Sequence, residues 1–453
     1  MLFSSLTFLL YFLPAVVLVH YFLPKRAQNP FLLLCSLIFY AWGDARRTPL
    51  FAVLLLADWG AGVLIARQQK RGAKKALLAA GLILNFGALV FYKYSGFLLG
   101  SLGLAPDFIR DLTLPLGISF FTFQAAGYLI DVYRGNTPPE KDPVAFGAFL
   151  FLFPQLIAGP IVRYQDLSHA LHEKRRPDAR ALDGGMALFA AGLAAKVLLA
   201  NPLGELYRDM RAVSGDMLCA WLSLLGYTLQ IYFDFMGYSL MAVGMGRMLG
   251  FSFPRNFRHP YAAVSVTDFW RRWHITLSSW FRDYVYIPLG GSRKGRGRTA
   301  LNLLCVWALT GFWHGADWNF LLWGLWYFAL LSAEKFLPLN LDRVPALLRR
   351  FFTLLCVSLG WALFVSNGLK DFGAYLSSLF SFRSAPGSLF FLREYALLLC
   401  AGAFFCVPAP VEFLKRFMAR HSAWRLIACC LLLVLCIAAL TKASYNPFLY
   451  FRF

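Results

Sequence analysis

The sequence predicts an all-α protein, a polytopic bundle of transmembrane helices with interfacial and re-entrant segments. Three observations predict it. The first is composition: of 453 residues, 59% are hydrophobic and 15% charged, against roughly 45–50% and about 25% in soluble domains. The second is a succession of apolar stretches near the ~20 residues that a bilayer-spanning helix needs. The third is the placement of cations. Lys and Arg number 44 against 23 Asp and Glu, a net charge of +21. They gather between apolar stretches, at 67–75, 174–180 and 293–298. That is the positive-inside bias of cytoplasmic loops rather than a nucleic-acid footprint. Such a face also attracts anionic lipid or an anionic thioester such as a coenzyme A ester. The aromatic share of 17%, led by 45 Phe, suits lipid-facing surface.

The chain opens with an apolar run, 1–23, whose first following charge is Lys25. It lacks a basic leader and an A-x-A site, so it is expected to be a retained first transmembrane helix and not a signal peptide. Further spans are predicted at 30–42 with its flanks, 49–66, 76–100, 113–131, 145–162, 183–200, 217–250, 299–333, 350–368, 393–413 and 424–442. Segment 217–250 is long enough for two passes or a broken helix, and the total is about 11 passes. Lys25 and Arg26 after the first span place the N-terminus outside, and the basic loops 67–75 and 163–180 inside.

Pro154, Gly159 and Pro160 interrupt the apolar piece 143–165, and proline breaks the helical ladder. Broken backbone at membrane depth persists only where protein buries it or a cavity hydrates it. A re-entrant segment and a plain kinked helix both satisfy this pattern. From 251 to 298, cations between Arg255 and Arg298 interleave with Phe257, Tyr261, Phe269, Trp270, Trp273 and Trp280. The pattern predicts amphipathic helices at the cytoplasmic interface, dipping inward. No soluble domain, low-complexity segment or repeat is visible. Residues 1–453 are therefore read as a single membrane-embedded domain, with 251–298 a cytoplasmic interfacial segment within it.

The chemistry-bearing residues are few. No G-x-S-x-G, Walker loop, H-E-x-x-H or Cys cluster occurs, which argues against a serine hydrolase, an ATP-driven pump or a metalloenzyme. The nine Cys lie mostly in or beside apolar runs without zinc spacing, and are read as small buried hydrophobes. Of the seven His, His20, His169, His172, His259 and His421 are read as ordinary solvated or interfacial residues. His314 differs. It interrupts the apolar run 299–333 in Gly311-Phe312-Trp313-His314-Gly315-Ala316-Asp317-Trp318-Asn319. An ionisable group at membrane depth is costly and points to function. Its flanking glycines admit a close backbone or a substrate, and neutral imidazole is the usual general base near neutral pH. A structural hydrogen bond across helices is the plain alternative. His274, in Trp270-Arg271-Arg272-Trp273-His274, would on spacing alone be an ordinary interfacial His. Gln230 and Asp234 are four apart and share a helix face; an intramembrane carboxylate there should turn inward to a partner.

The run Trp270–Ser279 followed by Trp280-Phe281-Arg282-Asp283-Tyr284-Val285-Tyr286-Ile287-Pro288-Leu289-Gly290-Gly291 resembles the signature of the membrane-bound O-acyltransferase family. Phe312-Trp313-His314-Gly315 resembles that family's W-H-G core. The stretches from Leu114 to Gln124 and from Phe153 to Ile161, and the opening Met1-Leu2-Phe3-Ser4-Ser5, are similar to its alginate O-acetylase branch. The resemblance implies helices around a tunnel through a bacterial inner membrane. It implies acetyl-CoA as the cytoplasmic donor with no bound cofactor or metal, an exported polysaccharide as acceptor, and an outer-face partner acetyltransferase. It makes His314 the catalytic His. It makes His274 the second motif His, in catalysis or in donor binding. Trp313, Asp234, Gln230, Arg271, Arg272 and Asn319 become tunnel or supporting residues. One departure stands out: the branch reads F-D-F-S-G-Y-S-D where this chain has Phe233-Asp234-Phe235-Met236-Gly237-Tyr238-Ser239-Leu240, which weakens a catalytic role there. The C-terminal Phe448-Leu449-Tyr450-Phe451-Arg452-Phe453 resembles an aromatic terminal motif of the branch. Its Tyr450 is expected to be a transient acyl carrier, an interfacial aromatic anchor being the alternative. D-alanyl export for teichoic acids is a second reading. A transporter is a third, although the repeat symmetry it should show is not visible.

Overall fold

The computed structural model describes residues 1–104, 106–110, 112–156, 159–213, 215–337, 343–384, 387–442 and Leu449. Among them every regular element is a helix. Six helical stretches are long and apolar enough to cross a membrane: Lys25–Arg67, Arg71–Ser101, Ala179–Ala212, Ala346–Val365, Ser388–Cys406 and Ser422–Lys442.

The chain divides into two compact units. The first comprises Met1–Phe189 and Tyr238–Pro254. Its helices Lys25–Asp44 and Thr48–Arg67 are joined by the short turn Ala45–Arg47. Helices Arg71–Ser101 and Ile118–Arg134 pack on Thr48–Arg67 and on each other. Close approach is set by small residues. A Cβ on Gly62 would meet the Tyr128 ring at 2.6 Å, and one on Gly81 would meet Leu129 at 2.6 Å. Burying a polar group is costly where no water reaches, and one such pair is met inside: Asn85 Nδ2 donates to Asp58 Oδ1 at 2.6 Å. Phe3, Phe8, Phe39 and Phe153 pack in tilted and edge-on contacts as a buried aromatic core.

Two expectations change here. The piece 145–162 is not one helix: Pro143–Leu150 ends before Phe153–Leu156, as Pro154 and Pro160 require. His20 is not solvated; it is 1% exposed, with Nε2 3.2 Å from the Leu249 carbonyl. His172 is exposed, as expected, and its Nε2 lies 2.8 Å from the buried Glu140 carboxylate.

The second unit comprises Ala190–Gly237 and Arg255–Phe453. Segment 217–250 is neither two passes nor broken: Met217–Met248 is one continuous helix of 32 residues. The run 299–333 is two helices, Gly295–His314 and Trp318–Phe336, packed along their length. The predicted span 393–413 ends early, at Cys406, and Pro408 starts a separate helix, Pro408–Arg420. Segment 251–298 does form short helices, Val266–Arg272 and Ile275–Phe281. Their aromatic faces, however, are buried. Trp270 and Trp273 are 7% and 3% exposed and pack on Trp307, Trp323 and Trp361. Indole and phenyl rings supply large apolar area and prefer such tilted contacts, so this stretch becomes core while Arg271 stays exposed.

Candidate active site

His314 is the last residue of helix Gly295–His314, and the chain turns to extended backbone at Gly315. Its helix can lie against Trp318–Phe336 because glycines face each other. A Cβ on Gly311 would sit 2.4 Å from the Phe320 carbonyl oxygen, and one on Gly324 would sit 2.3 Å from that of Trp307. A Cβ on Gly315 would meet the Phe320 ring at 2.1 Å. The glycines flanking His314 therefore admit a helix backbone and a ring. The Gly311→Ala variant should lose roughly 1–3 kcal/mol of stability through overpacking. Gly297→Ala in the same helix, where nothing lies within 4 Å, should be neutral or slightly stabilising. Thermal unfolding of the two purified variants checks this; equal melting temperatures would disprove the contact.

The imidazole of His314 is 7% exposed. It is enclosed edge-on by Trp323 at 4.9 Å and Phe364 at 5.3 Å between ring centroids. Asn319 holds this corner. Its Nδ2 donates to the Ser366 carbonyl at 2.7 Å, at the end of helix Ala346–Val365, and so satisfies an acceptor that a helix C-terminus leaves open.

His274 stands before helix Ile275–Phe281 with φ 43° and ψ 55°. A side-chain-bearing residue in the left-handed region costs on the order of 1–3 kcal/mol, and such strain gathers at functional sites. The backbone is held there by Asn256, whose carbonyl accepts the Ile275 N–H at 3.0 Å. The ring is 1% exposed, and burial pushes its pKa down to about 3. Burial thus favours the neutral imidazole. Phe235 meets it edge-on at 4.6 Å and Trp313 lies 6.3 Å away. Trp313 also lies 4.7 Å from His314, so one indole neighbours both imidazoles. Tertiary folding thus gathers two histidines that are separated by forty positions in the sequence.

The other candidates divide. Asp234 is 1% exposed, and its Oδ1 is 2.7 Å from Lys196 Nζ. Its Oδ2 accepts the Leu449 backbone N–H at 2.8 Å. The close approach of Gly237 to the Gly192 carbonyl, where a Cβ would be 2.7 Å away, brings the Lys196 turn to this carboxylate. That turn is π-helical, Ala195–Ala200, a widening often found at functional positions. Gln230, one turn before Asp234, abuts Gly204. The Gln230–Asp234 stripe therefore packs on the helical run through Lys196 and Gly204. Arg272 pairs with Asp268 at 2.8 Å, and exposed Arg271 lies off the aromatic face. Tyr450 falls outside the described residues.

Sequence reasoning missed three supports. Lys196 was visible as a lone cation in an apolar span. Glu334 accepts the N–H groups of Val266 and Thr267 at 2.6 and 2.8 Å, and so caps the helix that carries Trp270. Asn256 gave no signal beyond its closeness in sequence to His274.

Comparison with known proteins places this arrangement. The sequence profile of the membrane-bound O-acyltransferase family matches residues 141–364, a stretch containing both histidines. The chain is 37% identical to a probable alginate O-acetylase of Pseudomonas putida over the full length of both proteins. It is 34% identical to a peptidoglycan O-acetyltransferase of Helicobacter pylori, over 82% of this chain and 78% of that protein. To a teichoic acid D-alanyltransferase of Bacillus subtilis it is 27% identical, over 49% of this chain and 59% of the other. With its membrane-crossing helices and the two gathered histidines, the chain is a multi-pass membrane protein that belongs to the membrane-bound O-acyltransferase family.

Proposed function

We propose that this acyltransferase takes an acetyl group from cytoplasmic acetyl-CoA and passes it across a bacterial inner membrane for O-acetylation of an exported polysaccharide. The grouping of His314 and His274 about Trp313 carries the proposal, and the names of the relatives supply its direction. The D-alanyl alternative rests on a likeness to about half the chain and is the weaker reading. In the proposed reaction His314 takes the proton of an attacking hydroxyl, whose oxygen adds to the thioester carbonyl. The thiolate leaves and receives that proton. A hydroxyl is a poor nucleophile until a base acts on it. The buried ring cage excludes water, which would otherwise hydrolyse the thioester. His274 serves as the second polar group, toward the donor or the reacting atoms. Trp313 neighbours both imidazoles, and Asn319, Gln230 and the Asp234–Lys196 pair support the helices around them. An outer-face partner acetyltransferase completes the transfer.

The finer topology belongs to the same proposal. With Ile118–Arg134, Met217–Met248, Gly295–His314 and Trp318–Phe336 counted as further spans, the passes number about 11. The N-terminus lies outside, and the stretches 67–75 and 255–298 lie inside. Segment 143–163 is re-entrant. Support comes from Glu140, which precedes it and accepts hydrogen bonds from Tyr164 at 2.5 Å and His172 at 2.8 Å beyond it. Helix Pro143–Leu150 has 8 residues, about 12 Å of rise, too short for a bilayer core of ~30 Å. Labelled acetyl-CoA given to inverted membrane vesicles, with the cytoplasmic face outward, should acylate the vesicle system. Sealed right-side-out vesicles should be inert. Labelling from the opposite face would reverse the donor side, and consumption from neither would remove acetyl-CoA as donor.

A further inference from the structure

We propose that Asn256 is a positioning residue that fixes the tautomer of His274, so that Nδ1 carries the proton and Nε2 presents an open lone pair. Its consequence for rate rests on the proposed role of His274 at the acyl-transfer site; the tautomer itself does not.

The geometry determines the hydrogens in two steps. Asn256 Oδ1 lies 3.3 Å from the backbone nitrogen of Thr276 and 3.0 Å from Thr276 Oγ1. A backbone N–H only donates, so the amide atom facing it is the oxygen. This removes the usual ambiguity between the two ends of an asparagine amide. The same oxygen lies 3.0 Å from His274 Nδ1. An amide oxygen has no proton to give, so Nδ1 carries it. In a neutral imidazole the other nitrogen is then an acceptor. His274 Nε2 is buried and has no hydrogen-bond partner among the described residues. A buried acceptor left open is costly, and it is what a site for a proton-bearing substrate or donor group would hold ready.

Two features make this an arrangement for orientation. Asn256 grips the residues that follow His274, through its carbonyl to Ile275 and its side chain to Thr276. Phe235 and Trp313 then fix the plane of the ring. These neighbours, with Asn256, carry no ionisable group, and burial alone lowers the pKa.

The test is nitrogen-15 NMR of the full chain, labelled at histidine, in lipid bilayers. The His274 signals are assigned by their loss in His274→Gln. Wild type should show the Nδ1–H tautomer. Asn256→Leu should lose that single tautomer and reduce turnover of acetyl-CoA roughly 10–100-fold, as removal of an orienting partner does. Asn256→Asp keeps the acceptor but adds a charge that favours imidazolium, raising the His274 pKa by about 1–3 units. Its rate should fall toward weakly acid pH relative to wild type, and this variant carries the test if Asn256→Leu does not fold. An Nε2–H tautomer in wild type, or an unchanged tautomer in Asn256→Leu, overturns the inference. If the tautomers behave as expected while Asn256→Asp keeps the wild-type pH profile, the positioning stands and the part of His274 in the reaction falls.

Discussion

His314→Ala is expected to reduce acyl transfer at least a hundredfold while the protein still folds and inserts. A positioned general base contributes roughly 10²–10⁴ in rate, which is about 3–5 kcal/mol of barrier. Survival of the fold follows from where the imidazole sits. The hairpin of Gly295–His314 and Trp318–Phe336 is held by the facing Gly311 and Gly324, and its turn by Asn319 on Ser366. None of these contacts passes through the His314 ring. The lost packing is against Trp323 and Phe364; it creates a cavity at a helix end, where neighbours can relax. Turnover of acetyl-CoA, measured beside membrane abundance and melting temperature, tests the assignment. Near-normal turnover would remove His314 as the base. Loss of abundance, with residual protein still active, would make it a structural residue. His314→Gln, which keeps volume and hydrogen bonding but cannot accept and return a proton in the same way, separates the two further.

The sequence made parts of this legible for physical reasons. Apolar runs of membrane length announce helices by composition alone, so Arg71–Ser101, Ala346–Val365 and Ser422–Lys442 could be placed within a few residues. Pro154 and Pro160 announced the break in 143–165. Long-range pairing was invisible. Nothing in 251–298 says whether its tryptophans face lipid or protein, because an interfacial stripe and a buried aromatic core have the same composition. The composition around Trp270 and Trp273 therefore points to a surface, and the structure fills that surface with Trp307, Trp323 and Trp361. Similarly, Asp234 could be expected to seek a partner, but only folding selects Lys196. Asn256 and Glu334 act through a few long-range hydrogen bonds, which leave no periodic trace.

Tyr450→Phe is expected to stop acetylation of polymer in cells while leaving the protein in the membrane and thioester turnover measurable. The hydroxyl would receive the acetyl group as a phenyl ester: its oxygen adds to the thioester carbonyl, the thiol departs with the proton, and an outer acceptor hydroxyl later displaces the phenol. A phenol of pKa ~10 is far more acidic than an alcohol. A nearby imidazole can therefore activate it, and its ester keeps enough energy to pass the group on. Tyr450 itself lies outside the described residues. What supports the reading is its neighbour: the Leu449 N–H donates to Asp234 Oδ2 at 2.8 Å, at a carboxylate that is 1% exposed and paired with Lys196. An interfacial anchor has no need of a backbone hydrogen bond at Leu449 to a buried ion pair. The substitution keeps the ring and removes one oxygen, so an anchor is unaffected by it. Normal polymer acetylation in the variant would leave Tyr450 an anchor and end the carrier reading. Loss of acetylation, together with loss of a labelled acetyl group that wild-type protein retains through denaturation, would establish the carrier. Leu449→Pro removes the donor to Asp234 and constrains the local backbone, and should weaken acetylation in the same direction.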